Sequence, residues 1–393
     1  MQSYLLEPKR RSAPVRFLRG FVVFAVAVAL VGYAIGGWIV SSEIGDTILR
    51  PSAGESIPDG SVVAVAGDRI TLRAEEAADR DVGADGVFGF NTGISYLRLG
   101  EILSSVGSDI TRTFEVMEGP KPEMGQLGDV DVNARPAELA ANDLGFAPVT
   151  YRSPLGDMDA WLVEGSSMWL IYVHDPGKGL DQAQRLIAAT AGEGFTHMAI
   201  TYRNDPGQPA DPSGIMRFGV AERDDLAAAV AFARDHGAEQ VVVVGYGAGA
   251  SIAMAEMYRD LGLTGAILDS PIIDGESAAK AYVERSPLGI LPSAPPGVAE
   301  VGTVFASLRY GINWNSADYL KRSDQLIVPV LLLHGTDDER APIEDSQALA
   351  DRRPEQVTLV AVEGAGSDAV WNRDPAIYES AVLDFLDDVR SAD

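Results

Sequence analysis

The apolar positions of the chain fall into three rhythms. From Gly20 to Ser42 no residue is charged, and the run FVVFAVAVALVGYAIGGWIV is apolar almost throughout. About 20 apolar residues in helical form match the hydrocarbon thickness of a bilayer, so 20–42 is expected to be a transmembrane helix. From about 43 to 147 the pattern shortens to alternation. Ser61-Val62-Val63-Ala64-Val65 and Arg69-Ile70-Thr71-Leu72-Arg73 flank an Ala-Gly-Asp turn and predict a hairpin. Gly86 to Phe90 and Thr111 to Val116 are further strand candidates. The Gly- and Pro-rich stretch from Glu118 to Asp131 reads as a loop. The expectation for 43–147 is a small β-rich domain.

From Pro148 onward, strand and helix alternate. Strands are expected at Trp169–His174, His197–Tyr202, Gln240–Gly245, Thr264–Asp269, Gln325–His334 and Gln356–Val362. Helices are expected near Asp181–Gly192, Glu222–His236, Ala248–Leu261, from Ile343, and over Pro375–Val389. Continuous apolar strands between amphipathic helices imply a mostly parallel, doubly wound sheet covered on both faces. Ligands of such sheets bind at the carboxyl ends of the strands. The Pro-rich insertion 271–323 leaves one of those ends and is expected to roof them as a lid.

Charge orients the apolar helix. Lys9, Arg10, Arg11, Arg16 and Arg19 precede it, and Glu43 and Asp46 are the first charges after it. Basic residues stay on the cytoplasmic side, so 1–19 is expected inside and the bulk outside, in a single-pass protein of the cytoplasmic membrane. A cleaved signal peptide with Ala34 and Gly36 as a small-x-small site is the rival reading. Trp38-Ile39-Val40 extend the apolar run past that site and favour an anchor. The formal net charge of −26 over 393 residues makes nucleic acid a poor partner. The chain has no cysteine, which excludes disulfides, thiolate nucleophiles and Cys-ligated metals.

Three segments, IYVHDPGKG (171–179), VVVVGYGAGA (241–250) and VPVLLLHGTDDERAP (328–342), with the closing VEGAGSDAVWNRDP (362–375), resemble the α/β-hydrolase family. The likeness is to its esterase-like and peptidase-like serine hydrolases, including the Tyr202-Arg203-Asn204-Asp205 loop. The resemblance implies the α/β-hydrolase fold from about residue 148 to the end.

The resemblance also locates the positions of a Ser-Asp-His triad. The nucleophile elbow G-x-S-x-G reads Gly245-Tyr246-Gly247-Ala248-Gly249, so Gly247 stands where the serine belongs. Ser251, one turn into the helix, is expected to face the packing. The acid position is Asp338, beside Asp337, and Asp269 ends the strand where an alternative acid can sit. The base position is Ser367. The four histidines, His174, His197, His236 and His334, all precede the acid in sequence. The oxyanion loop His-Gly-x-Gly reads His174-Asp175-Pro176-Gly177, with Ala248 as the second backbone donor. Asp175 places a carboxylate there and Pro176 has no N–H to give.

Loss of nucleophile, base and part of the hole points to a catalytically inactive pseudo-hydrolase, anchored in the membrane and acting in binding or scaffolding. Its partners would be the bilayer and a small-molecule, lipid or protein ligand. The motifs call for no cofactor and no metal. The alternative is an esterase or peptidase with a non-standard site, in which Asp175, Asp338, Glu339 and Asp368 cluster at the mouth and bind a hard cation or raise one another's pKa.

Overall fold

The computed structural model describes residues 13–50, 58–75, 82–135, 145–259, 262–286 and 293–392. Helix α1 spans Ala13–Glu43 and passes into a π-helical turn, Ile44–Ile48. At 1.5 Å per residue α1 is about 46 Å long. Its apolar run is long enough to cross a membrane, and most of it is bare of protein contacts.

Six strands then close a barrel: β1 (Gly60–Ala66), β2 (Arg69–Ala74), β3 (Phe88–Asn91), β4 (Tyr96–Val106), β5 (Asp109–Glu118) and β6 (Leu127–Asp131). Their order is β1-β2-β5-β4-β3-β6, and β6 returns to pair with β1. The β1–β2 hairpin has the register that its alternation predicts, with a bulge at Val63. Strand β6 corrects the loop expected over Glu118–Asp131. It is only five residues and carries a Gly and two Asp, so its apolar signal is a single inward Val130.

Eight further strands form the large sheet: β7 (Ala147–Ser153), β8 (Gly156–Val163), β9 (Met168–Val173), β10 (Thr196–Ile200), β11 (Gln240–Tyr246), β12 (Gly265–Asp269), β13 (Val330–Gly335) and β14 (Val357–Val362). Their order is β14-β13-β12-β11-β9-β10-β8-β7. Only β8 opposes its neighbours, and the rest run parallel to the centre. An antiparallel second strand and a crossed third and fourth are the sheet of the α/β-hydrolase fold. Strand β13 begins at Val330, later than the expected Gln325, because Leu320–Gln325 is a 3-10 stretch.

Alternate residues of each strand feed two layers. Val241 and Val243 of β11 meet α3 (Arg223–Asp235) and α4 (Ala248–Met257) through Leu226, Val230 and Ile252. Val242 and Val244 meet α2 (Gln184–Thr190) and the C-terminal Pro375–Ser391 helix through Leu186, Val382 and Leu386. Between β12 and β13 lie α5 (Gly275–Arg285), capped by the Asp274 side chain, and α6 (Val298–Tyr310), set between left-handed Gly297 and Gly311. A further helix, α7 (Ile343–Arg352), precedes β14, and Pro375–Ser391 is α8.

Residues 43–48, assigned by sequence to the β-rich domain, belong instead to the insertion. The end of α1 packs along α6. Val301 lies against Gly37 and Val40 against Gly302, each where a Cβ would collide. Trp38 and Phe305 meet edge-on at 6.0 Å, and Arg309 donates to Ser41 and Ser42 at 2.7 Å. The barrel docks on the opposite side. Asn372 Nδ2 donates to the carbonyls of Val87 and Val132, and Arg185 to those of Val132 and the Asn372 side chain.

Candidate functional site

The sharp turn from β11 into α4 exists because small residues permit it. A side chain on Gly249 would strike the carbonyls of Val173, the last residue of β9, and of His174 just after it. Gly247 holds φ 54°, ψ −118°, the positive-φ geometry that a nucleophile elbow requires. The frame for a nucleophile therefore persists without the nucleophile.

The space where its side chain would stand is filled. A Cβ on Gly247 would collide with the Asp175 carboxylate and lie 2.6 Å from Arg340 Nη2. Asp175 Oδ1 accepts the Ala248 N–H at 2.8 Å, and its Oδ2 pairs with Arg340 Nη1 at 2.8 Å. Arg340 Nη1 also meets Asp368 Oδ2 at 3.3 Å. The Ala248 donor expected to serve the oxyanion hole is thus present and taken by the chain's own carboxylate. Asp175 is buried, its backbone N–H donates to Gln182 Oε1, and its carbonyl accepts the N–H of Lys178. Burial pushes the Asp175 carboxyl up, Arg340 pulls it down, and Asp368 pushes it up again, leaving it above the usual range. Burial works against the Arg340 charge, and Asp175, Asp368 and Asp338 more than offset it, so its pKa rises further.

Asp338 and Ser367 lie together. Ser367 Oγ donates to Asp338 Oδ1 at 2.5 Å, and the N–H groups of Arg340 and Ala341 donate to the same oxygen at 2.8 and 2.9 Å. Burial raises the Asp338 carboxyl, but the neighbouring His334 ring and the hydrogen bonds from Ala341 and Ser367 outweigh it and hold it below its ordinary value. Asp269 lies deeper, and burial pushes it up to about 6 against the pull of Arg185. Ser251 Oγ donates to the Ile272 carbonyl at 2.6 Å inside the packing. Glu339 is exposed and faces a cleft of about 610 Å³ between the barrel and the Ser367 loop.

No histidine faces Gly247. His174 places Nδ1 on the Asp175 carbonyl and Nε2 on Asp205 Oδ2, both at 2.9 Å, and stacks on Tyr202. Both partners are acceptors, which favours the protonated ring. Burial alone would lower its pKa, and the bonds to Asp205 and Asp175 reverse the sign. His334 is fixed between Ser346 Oγ and the Ala341 carbonyl, 3.5 Å from Asp338 Oδ2. His197 bonds the Tyr172 hydroxyl below the sheet, where burial lowers it to about 4, and His236 stacks on Phe232 at the end of α3. In the YRND loop, Arg203 forks onto Asp225 at 2.7 and 3.0 Å, a buried structural pair.

Arg340 is the member that sequence reasoning missed. Its signal is a lone cation between Asp337-Asp338-Glu339 and the aspartates of two other strand ends. It supplies a counter-charge within the chain to Asp175 and Asp368. Above Ala248 a cavity of about 140 Å³ remains, bounded by Ile48, Met216, Phe218, Ile272, Ala278 and Tyr282, with Asp175 and Arg340 on its floor.

Sheet order, crossovers and elbow define an α/β-hydrolase-fold protein. No protein-family model matches the chain, and no curated protein sequence does. Solved structures similar to it include an esterase from Pyrococcus furiosus. That match has 19% identity and a TM-score of 0.48, and covers 62% of this chain and 90% of that one. Another is a membrane phospholipase A described as a bacterial virulence factor. It has 17% identity and a TM-score of 0.45, and covers 63% of this chain and 88% of that one.

Proposed function

We propose that this chain is a membrane-anchored, non-hydrolytic α/β-hydrolase-fold protein that binds a ligand or partner outside the cytoplasm. The observation that carries this reading is the Asp175–Arg340 pair standing where the nucleophile's side chain belongs, with the Ala248 N–H already satisfied. Acyl transfer needs an attacking group and donors aimed at a developing oxyanion. Here a fixed anion occupies the donor, so a second negative charge would be repelled from it.

The apolar span of α1 is read as the anchor, with its basic N-terminal flank inside and the two folded domains outside. A reporter fused to the C-terminus is expected to be active only as a periplasmic or extracellular enzyme. Activity of a cytoplasm-only reporter would reverse the topology. Helices α5 and α6 are read as a lid. Because α6 is clamped to the end of α1, the lid is tethered to the membrane and moves with the anchor.

A second reading keeps catalysis with rearranged chemistry. The observation favouring it is the Ser367–Asp338 hydrogen bond, a hydroxyl on a buried carboxylate in the cleft. Full-length protein assayed against p-nitrophenyl esters of increasing chain length separates the two. The expected rate equals the protein-free control. Saturable turnover lost in Ser367→Ala would establish the second reading and end the first.

A further inference from the structure

Helix α6 has three sides with different surroundings. At about 100° per residue its positions divide into three sectors. Ala299, Thr303 and Ala306 are buried, and the Trp314 indole donates to the Thr303 carbonyl, so this sector faces the rest of the insertion. Val298, Val301, Gly302 and Phe305 form the sector against α1. The third sector is open, and it is split in character. Glu300 and Ser307 border the insertion side. Val304 and Leu308 border α1, and they are 59% and 76% exposed. Ile35, Trp38 and Ile39 of α1 are exposed as well, so apolar surface continues from one helix to the other.

The two helices run in the same direction, and their contacts set a common scale of depth. Tyr33 Oη donates to the Pro296 carbonyl at 2.9 Å. Gly36 faces Val298, Gly37 faces Val301, and Val40 faces Gly302. Arg309 donates to Ser41 and Ser42. A membrane span that starts at Gly20, the first uncharged residue, uses up about 30 Å of hydrocarbon near Ile39, at about 1.5 Å per residue. Tyr33 then lies roughly 9 Å inside that edge, and Pro296 lies with it. Residues Ser293 to Ala299, which lead into α6 at this depth, carry no charge. Glu300 is the one charged residue in the first two turns, and its sector is turned from α1. Near the edge the Arg309 guanidinium covers the Trp38 ring at 4.2 Å, a cation and an indole at the level where both are favoured. Helix α6 cannot accompany this stretch of α1 and remain wholly in water.

We propose that α6 is a second membrane element, whose Val304–Leu308 edge beds into the acyl chains of the leaflet on the folded side and holds the insertion flush on the bilayer. The assignment rests on the reading of α1 as the anchor and goes beyond it, because an anchor by itself requires no lipid contact from the folded body. Apolar side chains on that edge leave water for hydrocarbon, at the depth of roughly 5–10 Å where amphipathic helices lie in an interface.

The chain has no cysteine, so single-cysteine variants of the full-length protein carry one dye each. Ile35→Cys on α1, Val304→Cys and Leu308→Cys on α6, and Met124→Cys on the barrel all replace exposed side chains. Each is labelled with a nitrobenzoxadiazole dye in phosphatidylcholine nanodiscs, and an unchanged melting temperature shows that it is folded. Quenching by lipids with a nitroxide near the head of the acyl chain is compared with quenching by aqueous iodide. Lipid quenching with loss of iodide quenching is expected at positions 35, 304 and 308, and the reverse at 124. Iodide quenching at 304 or 308 with lipid quenching at 35 would overturn the assignment and leave the anchor reading intact. Iodide quenching at 35 as well would end both. Shielding of 304 and 308 from both quenchers would give the edge to protein, such as a second copy of this chain, and would also overturn the assignment.

Discussion

At the scale of single residues, the site is an exchange of one set of contacts for another. A triad would put a hydroxyl, an imidazole and a carboxylate in line. Here Gly247 removes the first and Ser367 replaces the second. Asp175 and Arg340 occupy the vacated space, while Ser367 keeps the bond to Asp338. Reinstating the serine alone should therefore be costly. Gly247→Ser introduces a Cβ at positive φ against the Asp175 carboxylate and is expected to destabilise by about 1–3 kcal/mol. Asp175→Gly removes the obstacle. In a thermal or urea double-mutant cycle the two changes should couple favourably by about 1 kcal/mol or more. Strict additivity would mean that the carboxylate is not what excludes the side chain. The glycine-rich turn at Gly247 and the Asp338 and Ser367 loops were legible in the sequence, because such motifs are local. The sequence also placed a carboxylate at 175. Arg340 was not legible, since nothing local says that a side chain after β13 reaches across to the end of β9.

At the scale of elements, the strands that carried a continuous apolar run were readable, while several with short, exposed or mixed patterns were missed. Strand β7 lies at the sheet edge and is largely exposed, so it has no apolar pattern to detect. Strand β8 buries only Met158, Ala160 and Leu162, in alternation with two aspartates and a half-exposed Trp161. The extension of α1 past its last apolar residue was also hidden, because it depends on α6, more than 250 residues away. Helix α4 holds a further feature that its sequence does not announce. Glu256 is fully buried on it, and among the described residues neither of its oxygens accepts a hydrogen bond. Burial pushes its carboxyl up to about 7, against the weaker pull of Arg259 and Arg223. A carboxyl raised in the folded state holds its proton more tightly there than when unfolded. The native state therefore loses stability as pH climbs from the unfolded value to about 7 and is penalised in full above it. Glu256→Gln should stabilise by up to ~3 kcal/mol at pH 8, from 1.36 kcal/mol per pKa unit. The gain should shrink as pH falls below 7 and vanish in the range of an ordinary glutamate. Melting curves across pH check this, and a gain independent of pH would show that the carboxylate is solvated in solution.

At the scale of the whole molecule, two bodies flank the strand ends of the sheet. The insertion, packed on the N-terminal apolar helix, closes one side over Ala248. The barrel stands on the other side, beside the Ser367 loop, and its attachment is built from its own core. Arg112 occupies an inward position of β5 between Ile110 and Phe114. Its guanidinium donates to the Val82, Ala84, Gly86 and Gly100 carbonyls. Those bonds shape the 82–86 segment that touches Asn372 and Arg373. The N-terminal helix, the insertion, the sheet and the barrel thus meet around the strand ends, where an internal ion network of Asp175, Arg340 and Asp368 stands. The most direct measurement is exposure of the intact membrane protein to a fluorophosphonate, followed by peptide mapping. The account predicts that no serine carries the phosphonyl group, Ser367 and Ser251 included. Stoichiometric, heat-sensitive labelling of one serine in the cleft would contradict it.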